Sequence, residues 1–170
     1  MDDKVCAHDM NRTIDFYACL VATNAAYRLN HMTIDIFLEP QGLGDRTWGN
    51  EILLALLPGK YSVKRLEIRA GEKGGLQYHH LKDEVVIVIS GTMIVRFENE
   101  VGVLEEKIAS PGDVIHFYPG LVHQTESITD VVYIEASTPH FNDRVRVEER
   151  FGQTMGKGLP STSLNEVIER

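Results

Sequence analysis

The sequence predicts an all-β fold, a jelly-roll barrel (double-stranded β-helix), preceded by a short N-terminal helix-and-strand extension. Three observations predict it. From Trp48 onward the chain breaks into short apolar or alternating segments, separated at nearly regular intervals by Gly, Pro and Asp turns. Such a series reads as an antiparallel sheet that closes on itself and so hides its strand edges. Two polar clusters, Gly71–Gly91 and Pro111–His123, lie about one hairpin apart and hold histidines at strand boundaries. Finally, 170 residues with 43% hydrophobic and 25% charged content suit one globular domain with a sizeable core, and are too few for two.

The bulk properties exclude several functions. A formal net charge of -8 argues against nucleic acid, whose phosphates are normally met by clustered Lys and Arg. It leaves room for an anionic small molecule, because a local cation or a metal inverts the field in a pocket. The two cysteines, Cys6 and Cys19, supply neither a disulfide framework nor metal-ligand spacing. The chain opens on Met-Asp-Asp-Lys and no long apolar run follows, so neither a signal peptide nor a membrane span is expected, and cytoplasm is the expected compartment.

Residues 1–44 form the expected extension. Ile14, Tyr17, Ala18, Val21 and Ala25 recur at three- and four-residue steps, as on an amphipathic helix over 13–29. His31–Leu38 alternates as a half-buried strand, and Glu39–Gly44 closes it with turn residues. This segment is too small for its own core, so it is expected to pack on the barrel or on a second copy of the chain, giving a homodimer. The barrel is expected over 45–152, with strands Glu51–Leu57, Ser62–Ala70, Gly75–His80, Glu84–Ser90, Thr92–Asn99, Val103–Ile108, Val114–Tyr118, His123–Glu126 and Val131–Ala136. After Ala136 the strand pattern breaks; 141–151 is highly charged and reads as an exposed strand or interface, and 153–170 as a mobile tail with a short helical turn from Ser163.

Side chains alternate faces along a strand, so Gln77 and His79 share one side while Tyr78 and His80 take the other. Glu84 follows the short Leu81-Lys82-Asp83 turn, and His123 follows a Pro-Gly turn. An amide oxygen, two imidazoles and a carboxylate are suitable donors for one divalent metal ion, Zn²⁺ first and Mn, Fe, Co or Ni as alternatives. Gln77, His79, Glu84 and His123 are therefore the expected ligands, with His80 the alternative to Gln77. Four mixed ligands with room for water or substrate describe a catalytic site better than a closed structural one. His116 reads as an ordinary barrel histidine, and His8 as a surface one. Lys64, Arg65, Lys82 and Arg146 are candidates for holding a phosphate or carboxylate, although a solvated surface charge explains each of them as well.

The two polar clusters resemble the two motifs of the cupin superfamily, in which a glycine precedes two ligands, a glutamate follows, and a further histidine comes from the second motif. Arg46–Gly49, Tyr61–Leu66, Leu76–His80, Ser90–Thr92, Ile134–Glu135 and Asn142–Gly152 further resemble the cupin module of type II mannose-6-phosphate isomerases, in which Gln replaces the first histidine. The likeness spans roughly 46–152 and singles out Arg146. It departs at Leu81-Lys82-Asp83, where that branch continues with a third histidine and Arg-Ala-Glu-His-Trp, and at Ser137-Thr138-Pro139. The resemblance implies a metal-dependent aldose-ketose isomerase acting on a small molecule, a sugar or sugar phosphate. The metal would polarise the carbonyl, and Glu84, Glu135, Tyr133 or a metal-bound hydroxide would move the proton; Arg146 is the substrate-binding residue the resemblance singles out, with Lys82 and Arg65 as further candidates from their charge. Two rival readings keep the fold: a non-haem iron dioxygenase of the cupin type, from the two histidines and Glu84, and a non-catalytic sugar- or metabolite-binding cupin.

Overall fold

The computed structural model describes residues 38–156 and 161–167. The chain forms β1 (Gln41–Arg46), β2 (Gly49–Leu57), β3 (Tyr61–Ile68), β4 (Gln77–Tyr78), β5 (Glu84–Ser90) and β6 (Met93–Glu98). It continues with β7 (Leu104–Ala109), β8 (Val114–Phe117), β9 (His123–Ser127), β10 (Val131–Ser137) and β11 (Val145–Arg146). Two 3₁₀ turns, Glu148–Phe151 and Leu164–Glu166, complete the described residues. The strands make two antiparallel sheets, one ordered β1-β2-β3-β10-β5-β8 and the other β11-β4-β9-β6-β7. The expected all-β architecture is the observed one.

The register of the six-stranded sheet explains the two-part interior. Ser62, Ser137 and Glu84 form one cross-strand row, Lys64, Glu135 and Val86 the next, and Leu66, Tyr133 and Val88 the third. Strand alternation turns all of these residues inward, as their burial shows. The third row joins Met93, Val95, Ala109, Phe117 and Val131 in the apolar core. Val86 of the second row belongs to that core too, while Ser62, Ser137, Glu84, Lys64 and Glu135 line the rest of the interior with charged and hydroxyl groups. One barrel thus has an apolar floor and a polar chamber, set by where the alternation of β3 and β10 changes from Leu and Tyr to Lys and Glu.

Turn chemistry holds the register. Gly91, between β5 and β6, has φ +81°, and a Cβ there would collide with the Asp130 carbonyl oxygen. Gly91→Ala is expected to lower unfolding free energy by about 2–4 kcal/mol in chemical denaturation, combining a strained dihedral with a backbone clash. A variant within about 0.5 kcal/mol of wild type would show that the turn relaxes freely.

Some expectations are corrected. Of Glu39–Gly44, expected as a turn, the part from Gln41 onward lies in β1, because pairing with β2 outweighs the local glycine signal; a bulge between Gly42 and Asp45 absorbs the irregularity. The charged segment after β10 is not an exposed strand: Asp143 and Glu148 are buried, and the Arg146 side chain is 6% exposed. Asp143, Arg146 and Glu148 have protein partners there rather than water alone. The expected terminal turn is present as Leu164–Glu166, with a capping box between Ser163 and Glu166. Described parts of the expected tail are tied down through Thr162 N–H to the Arg144 carbonyl and Arg146 N–H to Ser161 Oγ. The helix over 13–29, the strand from His31, both cysteines, His8 and the dimer contact through the extension fall outside the described residues.

Candidate metal centre

Three buried side chains converge in the polar chamber. His79 leaves the end of β4, Glu84 opens β5, and His123 opens β9. Their potential ligand atoms all lie within 4.8 Å of one another. His123 Nε2 is 3.4 Å from Glu84 Oε1, and His79 Nε2 is 4.0 Å from Glu84 Oε2. Gln77 is the cross-strand partner of His123, so register places it on the same face.

Backbone carbonyls preset both histidines. His79 donates from Nδ1 to the Asp143 carbonyl, and His123 from Nδ1 to the Leu121 carbonyl at 2.9 Å. Both rings therefore carry the proton on Nδ1 and present a lone pair at Nε2, the arrangement a metal ligand needs. Phe117 stacks on the His123 ring at 4.2 Å and fixes its plane. The Asp143 side chain supplies the other support. Its carboxylate accepts from the backbone N–H of His80 at 2.9 Å, Leu81 at 2.7 Å and Lys82 at 2.6 Å, and so shapes the turn that joins His79 to Glu84.

A ladder of buried charges runs from this centre. Lys82 Nζ contacts Glu84 Oε2 and lies 2.6 Å from Glu135 Oε1. Lys64 Nζ lies 3.8 Å from Glu135 Oε1 and 2.9 Å from Glu51 Oε1, and Arg46 closes the series on Glu51 Oε2 at 2.8 Å. Burial alone would raise the Glu84 carboxyl, but Lys82 and then the two histidines outweigh it and hold it well below the usual carboxylate range. Burial, and after it the Lys82 ammonium, push the His79 imidazole down to about 3, so it is neutral and free to ligate near neutral pH. Two imidazoles and one carboxylate are a donor set that suits a divalent cation.

A family model for the cupin domain matches residues 64–136. These residues are similar in sequence to cupin domains. Solved structures with the same fold include the capsular polysaccharide assembling protein CapF from Staphylococcus aureus, at 22% identity and TM-score 0.58, covering 66% of this chain and 33% of that one. KdgF from Halomonas sp. is 19% identical with TM-score 0.52, covering 63% of this chain and 94% of that one. Oxalate decarboxylase from Lactobacillus farciminis is 15% identical with TM-score 0.52, covering 66% of this chain and 34% of that one. This chain therefore spans about a third of the length of CapF. No curated protein matches it.

The other sequence-derived candidates divide clearly. Lys82 and Glu135 face the chamber as ladder members. Tyr133 sits where the core meets the chamber; burial, and then Glu135, Glu84 and Glu51, push its phenol well above its ordinary value, leaving a neutral donor rather than a base. Arg65 lies on the outer face of β3, its side chain 45% exposed and paired with Glu67, away from the metal group. Arg146 is engaged by Glu148 and, at 2.9 Å, by the Gly156 carbonyl. His80 turns away and donates from Nε2 to the Thr162 carbonyl at 3.1 Å. His116 is exposed and pairs with Asp83 at 2.6 Å.

Residues absent from the sequence-derived set prove equally important. Asp143 carries no local motif; its partners lie about sixty positions away in sequence. Glu51 reads as a strand residue, yet it anchors the far end of the ladder. Burial would raise its carboxyl, but Lys64 and Arg46 lower it from 4.5 to about 2. The sign follows: this stabilisation is fully present above pH 4.5 and disappears as pH falls through about 2. A loss of about 3 kcal/mol across that window is expected in acid denaturation, and Glu51→Gln should remove that part of the pH dependence. Identical pH profiles for the two proteins would contradict the assignment.

Proposed function

We propose that this chain is a metal-dependent cupin that interconverts the aldose and ketose forms of a sugar or sugar phosphate. The observation that carries the reading is the convergence of His79, Glu84 and His123, with both imidazoles preset at Nε2, beside the buried Glu135–Lys82 pair. Gln77, across from His123, completes the ligand set, in keeping with the resemblance to the isomerase module. The Leu81-Lys82-Asp83 turn sets the substrate apart from that of the isomerases.

When bound, a divalent ion of this kind, zinc first, polarises a carbonyl oxygen as a Lewis acid. The chain's own residues divide the remaining work. Glu84 is committed to ligation and to Lys82, so it is not the base. Glu135 is the remaining chamber carboxylate, and it takes the proton from the carbon next to the carbonyl and returns it to the neighbouring carbon. Tyr133, held neutral, donates a hydrogen bond and removes no proton. Lys82 keeps Glu135 oriented through its 2.6 Å contact.

The test is metal analysis of the purified protein, then reconstitution of the apo-protein with Zn²⁺, Mn²⁺ or Fe²⁺ against panels of aldoses and aldose phosphates. Isomerisation should appear with metal and fall by about 10²–10⁴-fold in Glu135→Gln with metal content unchanged. No isomerisation with any metal would end the reading. The two histidines and one carboxylate also form the facial set of non-haem iron oxygenases, so oxygen uptake seen only with Fe²⁺ would move the assignment to a dioxygenase.

A further inference from the structure

Lys82 shares its partner with the metal-ligand group, and this has a consequence for what the centre binds. Its side chain is 8% exposed, its ammonium contacts Glu84 Oε2, and Glu135 Oε1 flanks it at 2.6 Å. The two Glu84 oxygens are thereby divided: Oε2 serves Lys82, and Oε1 faces His123 Nε2 at 3.4 Å. A carboxylate ligand ordinarily cancels one positive charge of a divalent ion. Here Lys82 restores it.

The rest of the ladder does not offset that charge. Glu135 stands between Lys82 and Lys64, and Glu51 between Lys64 and Arg46, so three carboxylates balance three cations. Asp143, a buried carboxylate outside the ladder, is engaged by three backbone N–H groups. A divalent ion on His79, Glu84 and His123 enters a cluster that is already balanced and leaves it with an excess of two positive charges. Such an excess is felt most strongly where water is excluded.

We propose that Lys82 is a specificity-determining residue that makes the metal-loaded centre an anion site, selecting ligands that place a carboxylate or phosphate oxygen beside the metal. The inference rests on the metal-binding reading and narrows its substrate to the anionic class. A neutral polyol lacks the charge this chamber needs. The same chemistry suits a sugar phosphate or a sugar acid, and the choice between them is experimental.

The experiment uses Co²⁺-loaded full-length protein, whose visible absorption reports ligands entering the metal shell, titrated with inorganic phosphate, acetate and glycerol. In wild type, phosphate or acetate should shift the spectrum and glycerol should not; the stronger anion identifies the phosphate or the carboxylate source. Lys82→Met should weaken that anion at least tenfold while keeping one Co²⁺ per chain and binding it more tightly. Glu135→Gln, which removes a negative charge from the other side of Lys82, should strengthen the anion instead. These opposite signs are not produced by general damage to the fold. Should Lys82→Met fail to fold, the Glu135→Gln change carries the test alone. Anion affinity unchanged in the foldable variants, or weakened in Glu135→Gln, would overturn the proposal. Co²⁺ binding with no anion response in wild type would overturn the anion site alone, whereas failure to bind Co²⁺ would overturn the metal reading and this inference together.

Discussion

Alanine in place of His123 should lower divalent-metal affinity by at least about a hundredfold. Losing a partner that merely orients a ligand costs about 10–100-fold, and His123 is placed as the ligand itself. Its Nε2 faces Glu84, its Nδ1 is held by the Leu121 carbonyl, and its ring is stacked on Phe117, so no neighbouring donor can swing into its place without breaking those contacts. The metal-free variant should also lose about 1–3 kcal/mol of stability, because the stacked ring leaves a cavity beside Phe117. Competition titration with a chromophoric chelator measures the affinity, and denaturation of the apo-protein measures the stability. His116→Ala is the matched control: that ring is exposed and bound to Asp83, and its loss should leave metal affinity within about twofold. Equal losses in the two variants would remove His123 from the site.

Asp143→Ala should be the most destabilising single change in the loop. One carboxylate gathers three consecutive N–H groups, and all three lose their acceptor together. At about 1–3 kcal/mol for each unsatisfied buried donor, roughly 3–9 kcal/mol is expected, together with a 10–100-fold loss of metal affinity as the His79–Glu84 turn loosens. Asp143→Asn keeps one acceptor oxygen and should fall between. An alanine variant within about 1 kcal/mol of wild type would show that water replaces the carboxylate and that the turn holds its own shape.

The strands and the metal group were readable because both depend on local order. Period-two alternation and turn residues locate β5, β9 and β10 to within a residue or two, and the spacing of His79, Glu84 and His123 survives whatever the barrel does between them. The ladder was not readable for the opposite reason. In β3 both Lys64 and Arg65 are cationic, and only the register tells which one faces inward; Lys64 does, opposite Glu135, while Arg65 meets solvent and Glu67. A charged residue alone reads as solvated, and the partner that makes burial affordable lies on a strand about seventy positions away. Asp143 was hidden in the same manner, inside a charged run that resembles a solvated face. The extended likeness over 46–152 drew attention to Arg146, which is bound to Glu148, rather than to Asp143 three positions before it.

The convergence of His79, Glu84 and His123 is expected to hold one cation. Anomalous diffraction from crystals grown with Zn²⁺, collected on both sides of the zinc edge, tests this directly. One strong peak per chain is expected, bordered by His79 Nε2, His123 Nε2 and Glu84 Oε1, with Lys82 still on Glu84 Oε2. A chamber without a peak, or zinc found only on surface groups such as His116 and Asp83, would contradict it.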